Sequence, residues 1–196
     1  FGGFADVSSV MGLDQKADGR AHALVDWDHD GDLDLWYRDR TAPRLRLMLN
    51  RHRGSRKGDF VSLLLEGHTC NRSAIGAVAE LVDESGAGKE RLVRSVRAGD
   101  LFLSQSSRWL HFGLGQNGEV GKVRVIWPGG QEELFEGLKA GGSFLLKQGS
   151  SSAISVKRSP RAIAHNTESS APLVRDATTH INPPVAFRLP PLGFRN

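Results

Sequence analysis

Short apolar stretches recur along the chain and are cut by glycine-bearing turns. Ala21–Val25 is followed by Leu33, Leu35 and Tyr37, then by Leu45, Leu47 and Leu49, each set alternating with polar residues. Period two places successive side chains on opposite faces, so these segments read as strands, and Pro43 favours a turn between two of them. Further strands are predicted at Val61–Leu65, Ala77–Val82, Arg91–Val96, Trp109–Phe112, Lys122–Trp127, Glu133–Phe135 and Ser143–Leu146. Turns fall at Gly67, Gly86 and Gly88, Gly99, Gly113 to Gly118, Pro128–Gly130 and Gly141–Gly142. No segment carries a convincing helix period. The pattern predicts an all-β protein, with a small sandwich or barrel-like domain over residues 59–148. Phe60, Trp109, Phe112, Trp127 and Phe135 are the expected core aromatics.

After Gly149 the texture changes. Six of the eight prolines lie there among serines and threonines, with Phe187 and Phe194 the only aromatics. Such a stretch buries too little apolar area to offset its ordering entropy, so residues 149–196 are expected to form a disordered linker or tail. Residues 51–58 (RHRGSRKG) read as a basic linker, which leaves residues 1–50 as a separate unit. The whole formal charge of +4 sits in the tail, where Lys157, Arg158, Arg161, Arg175, Arg188 and Arg195 face only Glu168 and Asp176. Residues 1–148 are therefore formally neutral and lack the broad positive field that nucleic-acid binding requires. Cys70 is alone, so no internal disulfide forms. No apolar run approaches the roughly 18 residues of a membrane-spanning helix. Phe1 opens the chain without a leader, which reads as a processed or excised piece of a longer protein.

The chemistry concentrates at residues 26–35, DWDHDGDLDL, where Asp26, Asp28, Asp30, Asp32 and Asp34 stand at every second position. That charge density calls for a cation, and a hard divalent ion such as calcium takes several oxygen ligands. Asp-x-Asp-x-Asp-Gly curls three carboxylates around one centre, with Gly31 permitting the sharp turn. An EF-hand would need a Glu at loop position 12, which is Tyr37 here, and helices rather than strands on either side. Asp34, at position nine, supplies the remaining carboxylate, and the backbone carbonyl of Asp32 a fifth ligand.

This loop resembles the calcium loop of FG-GAP/VCBS-type propeller repeats, as in integrin α-chain propellers; the flanking FADVSSVMGL and APRLRLMLN are similar to a terminal repeat of that class. The resemblance implies calcium held by the side chains of Asp26, Asp28, Asp30 and Asp34 and the main chain of Asp32. Residues 59–148 resemble the ASPIC/UnbV domain (cartilage acidic protein-like, bacterial secreted type). The resemblance rests on Leu65-Glu-Gly67, Asn71-Arg-Ser-Ala-Ile-Gly-Ala77, Leu103-Ser-Gln-Ser106, His111-Phe-Gly-Leu-Gly115 and Val125-Ile-Trp-Pro-Gly-Gly130. Cys70 departs from it, standing where serine is common, as does Asp100-Leu101, where a further glycine is frequent. Together the two resemblances imply a partial propeller blade followed by a second β domain, with further repeats upstream in the parent chain. They also imply a secreted, periplasmic or cell-surface location.

Other signals support plainer readings. Gly113-Leu-Gly-Gln-Asn-Gly118 fits a dinucleotide fingerprint, but a strand follows it where that site needs a helix. Gly86-Ala-Gly-Lys89 lacks the first glycine and the Ser/Thr of a P-loop. Asn71-Arg72-Ser73 forms a glycosylation sequon, yet a local role suffices: Asn71 bonding a turn and Arg72 pairing with a carboxylate. Ser104, Ser106, His111 and Asp100 could serve an esterase or carbohydrate-active hydrolase, but no G-x-S-x-G elbow exists. Arg38–Lys57, with eight basic residues against Asp39, is a candidate polyanion patch or a charged strand edge. The reading carried forward is a non-catalytic, calcium-stabilised extracellular interaction or adhesion module with a protein or glycan ligand. The hydrolase and the polyanion binder are the alternatives.

Overall fold

The computed structural model describes residues 4–42, 44–50, 59–82, 92–115, 118–159 and 161, with the backbone of 174–176. The 51–58 linker, the Gly86–Lys89 turn and most of the 149–196 segment lie outside these residues. Among the described residues the protein is nearly all β, built as three four-stranded sheets with no closed barrel. Among the described residues no helix is long and apolar enough to cross a membrane.

The first sheet contains β1 (Gly19–Val25), β2 (Asp34–Asp39) and β3 (Leu45–Asn50), paired antiparallel in chain order. A one-turn helix, α1 (Ser8–Met11), precedes it and closes on Gly12 in the left-handed conformation. Leu47 and Leu49 are buried against Trp27 and Trp36, whose rings meet edge to face at 5.1 Å. The nearest strand predictions match these elements to within a residue or two.

Seven strands follow before residue 148: β4 (Asp59–Glu66), β5 (Val78–Val82), β6 (Leu92–Ser95), β7 (Leu110–Gly115), β8 (Lys122–Ile126), β9 (Glu132–Phe135) and β10 (Gly142–Lys147). Beyond them come β11 (Ala153–Ser155) and β12 (Val174–Asp176). One sheet has the order β11-β10-β4-β7 and the other β6-β5-β8-β9. Val61, Leu63, Leu65, Phe112, Phe144 and Leu146 from the first face Ala79, Val123, Val125 and Phe135 from the second in one continuous core. The architecture is therefore a sandwich, with alternate residues of each strand supplying the inner faces. β4 and β10 run parallel at its centre, Phe144 opposite Leu63.

The expected tail contributes to two of the three sheets. β11 extends the sandwich by pairing with β10, and β12 pairs antiparallel with β3, Arg175 opposite Leu49. Composition misleads here because main-chain pairing to an open sheet edge needs little side-chain burial. Phe60 and Trp109 also differ from expectation. Both are only half-buried and stand outside the main core, at the junction between the first sheet and the sandwich.

Candidate metal centre at the sheet junction

The aspartate loop leaves β1 at Val25 and re-enters the sheet at β2. It passes through the left-handed region at His29 (φ 61°) and Gly31 (φ 95°). A side chain at Gly31 would run into the ring of Phe60, so glycine is required by conformation and by space. Phe60 in turn stacks on His111, the ring centroids 5.4 Å apart and 14° from parallel.

Within the loop, carboxylates hold the backbone. Asp34 is fully buried; Oδ2 accepts the Trp27 N–H at 2.8 Å and Oδ1 the Asn50 N–H at 2.8 Å. Asp28 Oδ1 accepts from Asp30 N at 3.3 Å, Asp30 Oδ1 from Asp32 N at 2.9 Å, and Asp26 Oδ1 from Gly31 N at 3.4 Å. Serial bonds of this kind wind the loop inward. One carboxylate oxygen from each of Asp26, Asp28 and Asp34 lies within 4.8 Å of the other two. Oxygens bound to one calcium at 2.3–2.6 Å can be at most about 5 Å apart, so the trio fits a hard cation of that size. Asp30 and Asp32, also expected as ligands, stand outside this trio; each has other interactions, and Asp32 contributes its charge to the surroundings of His111.

Burial dominates the electrostatics. It pushes the Asp34 carboxyl up to about 7, against the two backbone N–H bonds and with help from the charges of Asp28 and Asp30. Asp28 is pushed up to about 6, first by burial and then by the Asp30 charge. Burial disfavours the ionised form of both carboxyls, so a divalent ion bound there would have to displace their protons.

Part of the compensation comes from a residue in the expected tail. Arg158 Nη1 lies 3.4 Å from Asp26 Oδ2, and Nη2 donates to the Asp26 carbonyl at 3.1 Å. The guanidinium also stacks over the Trp109 ring at 5.0 Å, and burial lowers its pKa. Its neighbours continue the strap: Arg161 N donates to Asp28 O at 2.7 Å, with its guanidinium 5.2 Å over Trp27. His29 Nδ1, in its protonated tautomer, bonds the Ser159 carbonyl at 3.1 Å. On the other flank Ser107 N donates to Leu24 O at 2.9 Å, and Leu24 N to Ser106 Oγ at 3.2 Å. Loop, sandwich and strap thus meet at one junction.

The model of one protein family, ASPIC and UnbV, matches residues 67–153. An ASPIC/UnbV domain occupies that stretch. No curated protein matches the chain. The matched stretch covers β5 to β10 and the first residue of β11, whereas β4, whose neighbours are β7 and β10, lies just ahead of it.

The structure accounts for several motifs of the ASPIC/UnbV domain. Asn71 folds its own turn, Oδ1 accepting Ile75 N at 2.8 Å and Nδ2 donating to Ile75 O at 2.9 Å. Arg72, expected to pair with a carboxylate, makes no ion pair among the described residues. Gln148 Oε1 accepts three consecutive N–H groups, from His68, Thr69 and Cys70, a contact that no sequence pattern announced. Gly113 and Gly115 end strand β7, and β8 follows, so no helix N-terminus faces a nucleotide there.

Of the residues proposed for hydrolysis, Asp100, Ser106 and His111 line one cavity of about 650 Å³, whereas Ser104 is not part of its lining. Ser104 Oγ is buried without a hydrogen-bond partner, whereas His111 Nδ1 lies 3.3 Å from the Oγ of buried Ser62. Burial lowers the His111 pKa, partly offset by Asp26 and Asp32. Asp100, held low by the side chain and then the backbone N–H of Ser106, accepts that N–H at 2.7 Å and organises a turn. In the basic segment, Arg46 is already engaged, by Asp39 at 3.1 Å and by Gln15 at 2.6 Å. Arg51 to Lys57 lie outside the described residues.

Proposed function

We propose that the chain is a non-catalytic interaction module in which calcium bound at Asp26, Asp28 and Asp34 fixes the junction between two β units. The first sheet is read as a blade of the FG-GAP/VCBS propeller type, with the ASPIC/UnbV domain packed beside it. The observation that carries the reading is the convergence of three carboxylates, two of them buried, at calcium-compatible spacing. Asp30 and the main chain of Asp32 complete the ligand set as the loop tightens around the ion. Calcium there neutralises the loop and locks its turns; the chain's own contacts, Phe60 on Gly31 and Arg158 on Asp26, pass that order to the sandwich. The ligand met by the surrounding surface is a protein or glycan outside the cytoplasm.

Calorimetric titration of the chelator-treated chain with calcium tests the proposal. One site per chain is expected, abolished in Asp28→Ala with Asp34→Ala. Absence of calcium binding by a folded protein overturns it.

A further inference from the structure

The turn between Asp100 and Ser104 carries an arrangement that the metal centre does not use. Leu101 and Ser104 form a bridge, Ser104 N bonding back to Leu101 O at 3.4 Å, so Phe102 and Leu103 occupy the tip. Leu101, Phe102 and Leu103 are 46%, 69% and 90% exposed. Leu103 adopts φ 52°, a left-handed conformation that turns ordinarily give to glycine or asparagine. A bulky apolar residue held strained and in water gains nothing from the fold itself, and such features mark contact sites.

Arginines surround this tip. Arg20, Arg38 and Arg40 line a cavity of about 420 Å³ whose remaining wall includes Phe102 and Leu103. Arg38 has no ion pair among the described residues, while Arg20 and Arg40 share the exposed Asp18 at 3.1 and 3.8 Å. The one carboxylate in that wall, Asp39, is engaged by Arg46. Across the turn, Arg97 and Arg108 line a second cavity with Leu101 and Asp100, and neither arginine has an ion pair among the described residues.

From these positions we propose that the Leu101–Leu103 tip is a membrane-docking element for bilayers containing anionic phospholipid. Phe102 and Leu103 enter the acyl boundary, and a headgroup phosphate occupies the cleft of Arg20, Arg38 and Arg40. A convex tip suits a deformable, apolar interior beneath negative charge, as amphipathic surface-binding elements do. A protein partner is disfavoured because a stable interface needs about 800 Å² on each side, far more than three side chains offer. The inference stands apart from calcium binding.

The test is co-sedimentation of the full chain with vesicles of phosphatidylcholine alone or mixed with phosphatidylglycerol. Binding to the mixed vesicles is expected, with about thirtyfold loss on neutral vesicles, as the attraction per basic residue implies for Arg20, Arg38 and Arg40 less the opposing charge of Asp18. Phe102→Ser with Leu103→Asn should abolish binding while leaving the circular dichroism spectrum and melting temperature intact, since asparagine suits the turn. Arg38→Glu with Arg40→Glu should remove the preference for phosphatidylglycerol. The proposal fails if the mixed vesicles are not bound, or if either paired variant binds them like the parent chain. It also fails if the tip variant instead abolishes self-association in sedimentation velocity, because a second copy would then cover the tip.

Discussion

Arg158 Nη1 lies 3.4 Å from Asp26 Oδ2, an ion pair bridging 132 positions of chain and nearly withdrawn from solvent on both sides. The same guanidinium covers Trp109 of the sandwich. One side chain therefore joins the aspartate loop, the ASPIC/UnbV domain and the C-terminal strap. Removing one member of a buried pair leaves the other uncompensated, typically at a cost of about 3–5 kcal/mol. Arg158→Ala should approach that loss in chelator. The loss should shrink in saturating calcium, because the ion takes over neutralisation of Asp26. Urea unfolding of both proteins under the two conditions checks this; equal losses would mean that the arginine acts through packing on Trp109 alone.

Calcium should raise the melting temperature by mass action, since the folded loop binds it and the unfolded chain does not. Free ion at a hundred times its dissociation constant corresponds to about 2.7 kcal/mol. Asp28→Asn should remove the calcium-dependent shift while preserving the strand spectrum. Scanning calorimetry with calcium and with chelator gives the comparison.

The pH dependence should change sign with the metal. Burial pushes the carboxyls of Asp28 and Asp34 up to about 6 and about 7 in the fold, above the ordinary value of 3.8. A raised carboxyl pKa means that the folded state binds protons more tightly than the unfolded one. In chelator, that contribution favours folding below the unfolded pKa and is lost as pH rises through about 6 and about 7. In calcium the ligands must be deprotonated, so the metal-derived stability is lost as pH falls through the same window. His111, with its pKa lowered by burial, acts in the acid range and opposes the carboxyls. Denaturant midpoints of the parent chain and of Asp34→Asn, with and without calcium, isolate the Asp34 contribution: the difference between them should slope oppositely in the two series.

Gly31→Ala should be among the most damaging small substitutions. It places a Cβ at φ 95° and drives it into the Phe60 ring. Backbone strain of this kind costs about 1–3 kcal/mol, and displacement of Phe60 from His111 adds to it. Phe60→Leu in the same background should recover part of the loss by freeing space. A double-mutant cycle measured in urea reads the coupling directly.

Period-two alternation made strands legible where one face meets a core and the other does not, as in β8, where buried Val123 and Val125 alternate with half-buried Lys122, Arg124 and Ile126. Pairing order was less legible: the parallel contact of β4 with β10 depends on residues some eighty positions apart, and no local pattern encodes it. Phe60 and Trp109 illustrate the same limit. Aromatic character marked both as buried, but it could not distinguish the sandwich interior from a junction where one ring braces a glycine and the other receives an arginine.

The sequence by itself determined the β class, the turns and the identity of the carboxylates that can meet a cation, because these follow from alternation, glycine placement and spacing within ten residues. Only the tertiary structure decided which of them converge: Asp26, Asp28 and Asp34 reach one point because backbone N–H groups of Trp27 and Asn50 hold Asp34 inward. It also decided that Arg158, in a stretch whose composition reads as unstructured tail, completes the junction. Composition measures whether a segment can bury its own apolar surface, and a strap docked on an existing sheet and a charged loop needs little of its own.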